Sequence, residues 1–229
     1  MMSMDTERLA EILTEDARPV RPLPQPWVRS ASWLAIAFVS ILVVVYAMSP
    51  RADLAVKVTE ARFLIEQFGA LATGIAAGVA AFATTIPGYS RKIFLLPAIP
   101  LALWLGALGQ GCISALIQYG PSGLSLQPDW ICLPAIVLVG AIPAVAMAIM
   151  LRRGAPLFPH VSTALGGLAA AGLGNFGLRF FHPQDASLMV LVWQFGSVFI
   201  LAALAGVMGR YVLNWRSVIK ASPGSAAVE

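Results

Sequence analysis

The sequence predicts an all-α polytopic membrane protein: six transmembrane helices preceded by a short N-terminal cytoplasmic helix. Three observations predict it. Of 229 residues, 59% are hydrophobic and only 11% are charged, against about 25% charged in soluble domains, and the mean hydropathy is +0.81. Six apolar stretches approach the roughly 20 residues a helix needs to cross the hydrocarbon core. The segments joining these stretches are too short to fold as domains.

Residues 1–30 form a water-soluble head and spacer. Asp5 is placed to cap a helix, Thr6 and Glu7 suit its first turn, and Pro19 stops it. At 100° per residue, Leu9, Ile12, Leu13 and Asp16 share one face, and Glu7, Glu11 and Glu15 share another. A helix this short is marginal alone in water, so its apolar face wants a partner. The acidic stripe argues against anionic lipid as that partner. Pro19, Pro22, Pro24 and Pro26 then favour an extended spacer, and Trp27 and Trp33 are expected at the membrane interface.

The spans run from about Trp33 to Met48, Phe63 to Ile86, Ile93 to Ile117, Trp130 to Leu151, Val161 to Phe181 and Leu188 to Leu213. The transmembrane domain is thus 31–213, and 214–229, ending KASPGSAAVE, is a tail with the composition of disorder. A cleaved signal peptide is a competing reading of the first span. The long acidic leader disfavours it, as does Pro50 directly after the small-x-small pattern of Ala47 and Ser49.

Basic residues orient the bundle, because cytoplasmic loops hold the excess of Lys and Arg. With the amino terminus inside, eleven fall on that side (Arg8, Arg18, Arg21, Arg29, Arg91, Lys92, Arg152, Arg153, Arg210, Arg216 and Lys220) and four outside (Arg51, Lys57, Arg62 and Arg179). Both termini are therefore expected in the cytoplasm. The same bias accounts for the net charge of +4 without a nucleic-acid partner.

Candidate reactive residues gather near the outer face. Cys112 lies late in the third span, Cys132 lies early in the fourth, and His182 starts the last outer loop. An oxidising envelope allows a disulfide between the two thiols, and two thiols with an imidazole suit a soft metal. The spacing matches no metal motif, and a cysteine in a membrane helix is commonly a small packing residue. Glu66 and Arg179 lie near outer span ends, and Gln110, Asn175 and Gln194 lie within apolar runs. Intramembrane ionisable groups mark either a path or a pair, and here a structural salt bridge or interhelical hydrogen bonding is favoured over conduction. No P-loop, zincin, nucleophile-elbow or dinucleotide motif is present; missing motifs do not exclude an enzyme, but that reading gains no support, and the expectation is no enzyme and no cofactor.

The order and spacing of several short segments resemble the NrsF family of six-span bacterial anti-sigma factors, also catalogued as a domain of unknown function. These are LAEILTEDARPVRPLP at 9–24, Trp130 with Cys132, LRRGAPL at 151–157, TALGGLAAAGLG at 163–174, and HPQDAS at 182–187 before Trp193. The resemblance covers nearly the whole chain. It implies an inner-membrane protein that holds an extracytoplasmic-function sigma factor inactive until stress is sensed, with the head as the sigma contact. It also implies a cysteine pair, one at Cys132 and one in an HCP-like sequence before the last span. Here that region reads Phe181, His182, Pro183. Either Cys112 replaces the missing partner, or Cys132 and His182 form a metal site, or sensing is lost. The alternative function is a small transporter or channel subunit with Glu66, Arg179 and the buried amides lining a path.

Overall fold

The computed structural model describes residues 6, 8, 11 and 14, and 23–120, 132–154, 158–182 and 190–213. Among them every regular element is helical, and six helices are long and apolar enough to cross a bilayer. They are α1 (Pro26–Met48), α3 (Ala61–Ala83), α4 (Ala98–Tyr119), α5 (Cys132–Arg152), α6 (Pro159–Leu178) and α7 (Gly196–Val212). A single turn, α2 (Leu54–Lys57), sits in the loop between α1 and α3.

Prolines account for most departures from the expected boundaries. Pro26 falls within the expected extended spacer, yet it occupies the first turn of α1, where its missing N–H costs no hydrogen bond. The first long helix therefore begins at Pro26, about two turns before the expected start of the span near Trp33. The third span is not one helix: a 3-10 turn, Arg91–Leu95, precedes Pro97, which caps α4. The sixth opens with a π-helical turn, Val190–Phe195, that runs into α7.

α6 is the centre of the bundle, packed against α3, α5 and α7. About two-thirds of its central stretch is buried (67%), against 17% for the third span. Small residues make this possible, because they let helix backbones approach closely in a membrane. Gly172 meets α3, where an added Cβ would lie 3.3 Å from Gly74 Cα; Gly174 meets α5, at 2.9 Å from the Ile136 carbonyl oxygen; Gly167 meets α7, at 3.1 Å from Ala202 Cα. Replacing Gly174 by Ala should therefore destabilise the purified protein by about 1–3 kcal/mol, the usual cost of overpacking. Gly106→Ala, whose Cβ meets nothing within 4 Å, should be neutral or stabilising by up to about 1 kcal/mol. Thermal unfolding in detergent checks the contrast.

Trp33 corrects another expectation. It is not an interface anchor: it is 0% exposed, whereas Trp27 is 63% exposed. Its ring covers Gly78 of α3, and its indole N–H donates to the Pro143 carbonyl of α5 at 2.8 Å. Arg29, Trp33, Ala37 and Ile41, all buried, fall at the four-residue spacing of one helix face.

Candidate functional site

Charged side chains collect at both ends of the bundle. At the end opposite the head, Glu66 of α3 is 4% exposed and accepts from Arg62 Nε at 2.8 Å and from Arg179 Nη2, beyond α6, at 2.9 Å. Arg179 is itself buried and lies 5.2 Å from the Phe63 ring centroid. The expected structural salt bridge between Glu66 and Arg179 is thus present, with Arg62 as a further partner one helical turn from Glu66. Gln67, also buried, donates to the Phe176 carbonyl at 3.1 Å. Asn175 is buried within α6, while Gln110 is exposed on α4; the side chain of Gln194 lies outside those described.

Arg51, counted by sequence only as an outer-loop charge, is 6% exposed. Its backbone N–H donates to the Phe180 carbonyl at 2.9 Å, and its guanidinium reaches the His182 carbonyl at 3.4 Å. The same guanidinium donates to both Asp53 carboxylate oxygens, at 2.6 and 2.8 Å. These bonds hold the exposed Asp53 carboxyl below its ordinary range. Because the folded-state value is lowered, the contribution is complete at neutral pH and is lost only as pH falls below the usual aspartate range.

The three sensing candidates do not converge in what is described. Cys112 is a free, half-buried thiol. It follows Gly111, against which the Arg62 guanidinium packs. His182 is buried at the end of α6, its backbone N–H donating to Leu178 O at 2.9 Å and its carbonyl facing Arg51. Cys132 is the first residue of α5, but its side chain lies outside those described. Among the described residues, no three His, Cys, Asp or Glu side chains gather as metal ligands.

At the head end, Arg29 is buried and donates to Thr85 Oγ1 at 2.8 Å and to the Met150 carbonyl, with its guanidinium 4.6 Å from the Phe82 ring centroid. It ties the base of α1 to the ends of α3 and α5. Thr84 and Ser162 share a hydroxyl hydrogen bond of 2.6 Å, and Arg152 Nε donates to the Val212 carbonyl at 2.6 Å. Sequence reading missed the clamps at Arg29 and Arg51. The signal for Arg29 was its four-residue spacing from Trp33, visible once Pro26 is taken as the helix start.

Within the head, Thr6, Arg8, Glu11 and Thr14 are helical and exposed, and Thr14 Oγ1 donates to the Glu11 carbonyl at 2.9 Å. On the wheel of the helix that the sequence predicts, Arg8 falls beside Ile12, whereas Glu11 and Thr14 fall opposite the stripe of Leu9, Ile12 and Leu13. Those three residues, with Asp5, Glu7, Glu15 and Asp16, lie outside the described residues.

The family model named NrsF, described as negative regulator of sigma F, matches residues 13–215. No curated protein matches, and no solved structure matches.

Proposed function

This chain belongs to the NrsF family, and from that premise we propose that it captures an extracytoplasmic-function sigma factor through its N-terminal head and releases it under envelope, metal or oxidative stress. The chain is a multi-pass membrane protein of a family of sigma-factor negative regulators, which is not an enzyme class. In the proposed topology it lies in a bacterial inner membrane with both termini cytoplasmic. The domains are the head and spacer at 1–30, the bundle at 31–213 and the tail at 214–229, with α1 reaching back to Pro26.

The observation that carries this reading is the family match across residues 13–215. The head suits the task chemically. Leu9, Ile12 and Leu13 offer an apolar stripe of the helix-in-groove kind, and Glu7, Glu11, Glu15 and Asp16 add charge that steers and registers a basic partner. The head leads directly into α1, whose base Arg29 locks to α3 and α5. Full-length protein should therefore co-purify with its sigma factor, and a chain lacking residues 1–25 should not. Retention of the sigma factor by the shortened chain would overturn the head's role.

Sensing is assigned to the face bearing Cys132, Cys112 and His182. Cys132→Ser should shift the dose response of a sigma-dependent reporter to a thiol oxidant or soft metal. An unchanged curve would return Cys132 to a packing role. The transporter alternative loses support from Glu66, because its carboxylate is enclosed by two arginines, an arrangement that suits a structural pair better than an ion path.

A further inference from the structure

The third span leaves the bundle on one side. α4 is anchored near its middle, where Trp104 and Leu108 pack against Ala70, Ala171 and Val198, and where the Trp104 and Phe195 rings meet edge to face at 5.9 Å. Toward the head end the chain gives up α-helix for the 3-10 turn Arg91–Leu95, and a cleft opens between it and the pair α6 and α7. The cleft holds about 750 Å³, with Phe94 and Leu101 on one wall and Leu165, Leu168 and Ala203 on the other. His160 lines its head end, with Nδ1 2.8 Å from the Gly206 carbonyl oxygen.

Three properties define what fits. The volume falls within the roughly 300–1,000 Å³ of small-molecule sites, yet the walls are almost wholly apolar. Water is a poor filler, since each molecule needs two to four polar partners. From His160 to Leu168 the wall runs about 12 Å at 1.5 Å per residue, close to half of the roughly 30 Å hydrocarbon core. The cleft is one leaflet deep.

A basic residue lies beside its head end. Phe94 also lines a neighbouring cavity of about 210 Å³, which includes Tyr89, Arg91 and Phe158. The Phe94 and Phe158 rings meet edge to face at 5.9 Å, and the Arg91 guanidinium lies 5.5 Å from the Phe158 ring centroid. Arg91 and its chain neighbour Lys92 are both exposed. We infer that this cleft binds one anionic phospholipid from the leaflet on the head side, with an acyl chain along the α4–α6–α7 wedge and its phosphate at Arg91 and Lys92. The head's own apolar stripe is a poorer occupant, because Glu7, Glu11 and Glu15 would be carried toward hydrocarbon.

The test uses the full chain reconstituted into vesicles of equal phosphatidylglycerol and phosphatidylcholine, then released into mild detergent for native mass spectrometry. One phosphatidylglycerol should be retained over phosphatidylcholine by roughly tenfold or more, the scale on which two surface cations act on an anionic lipid. Ala203→Trp should fill the cleft and abolish retention of both lipids. Arg91→Gln with Lys92→Gln, two surface changes that spare the core, should bring the two lipids to near-equal retention. Equal retention by the unaltered protein, or unchanged selectivity in the Arg91 and Lys92 variant, would overturn the proposal. So would a doubled protein mass without lipid, which would mean that a second copy covers the cleft.

Discussion

Replacing Leu9 and Leu13 together by Asp is expected to abolish capture of the sigma factor. On the helix that the sequence predicts for the head, both positions fall on the apolar face, with Ile12 between them in the chain. Apolar anchors at the centre of an interface are worth about 2 kcal/mol or more each, so losing two weakens binding on the order of a thousandfold. The new carboxylates also extend the acidic stripe of Glu7, Glu11 and Glu15 around the helix and erase its amphipathic character. A pull-down with full-length protein in detergent reads the result directly. Undiminished capture would sink the docking proposal. A transporter would tolerate the change, because the head would contribute nothing to a path through the bundle.

The second large effect lies at the opposite end. Glu66→Gln leaves Arg62 and Arg179 facing each other without the carboxylate that both now bond. Arg179 is buried, with 5% of its side chain exposed, and removing one partner of a buried ion pair costs about 3–5 kcal/mol. The variant should show a marked fall in thermal stability and in monodisperse yield. Replacing Glu66 and Arg179 together by Leu should recover much of the loss, since an apolar pair of similar volume is often neutral; Arg62, with 44% of its side chain exposed, keeps access to solvent. If Glu66→Gln unfolds at the unaltered protein's temperature, the pair does not hold α3 to α6.

The six spans were legible because hydrocarbon imposes a length and forbids unpaired backbone, and the small-residue run at 163–174 announced a helix meant to be approached closely. Helix starts were harder. Pro26 reads as spacer among Pro19, Pro22 and Pro24, and only the packing of Arg29 and Trp33 under α3 and α5 shows that it begins a helix. The pairing of Glu66 with Arg179 followed from the cost of isolated charge in a membrane, and Arg62 was available from its four-residue spacing to Glu66. Arg51 carried no such signal. Its partners are carbonyls from Phe180 and His182, distant in sequence and invisible to periodicity. In the head, sequence periodicity is what separates the apolar face from the acidic one.

The link between α1 and α5 has a property that side-chain contacts lack. Trp33 donates to the carbonyl of Pro143, and Arg29 to that of Met150, so α1 grips the backbone of its neighbour at two rungs about 10 Å apart along the axis. Exchanging the side chain at 150 leaves both rungs in place. Turning α5 about its axis, or sliding it by one residue, carries both carbonyls off their donors together. The grip therefore responds to the register of α5 and is nearly blind to its surface, and the helix whose register it reads is the one that opens with Cys132.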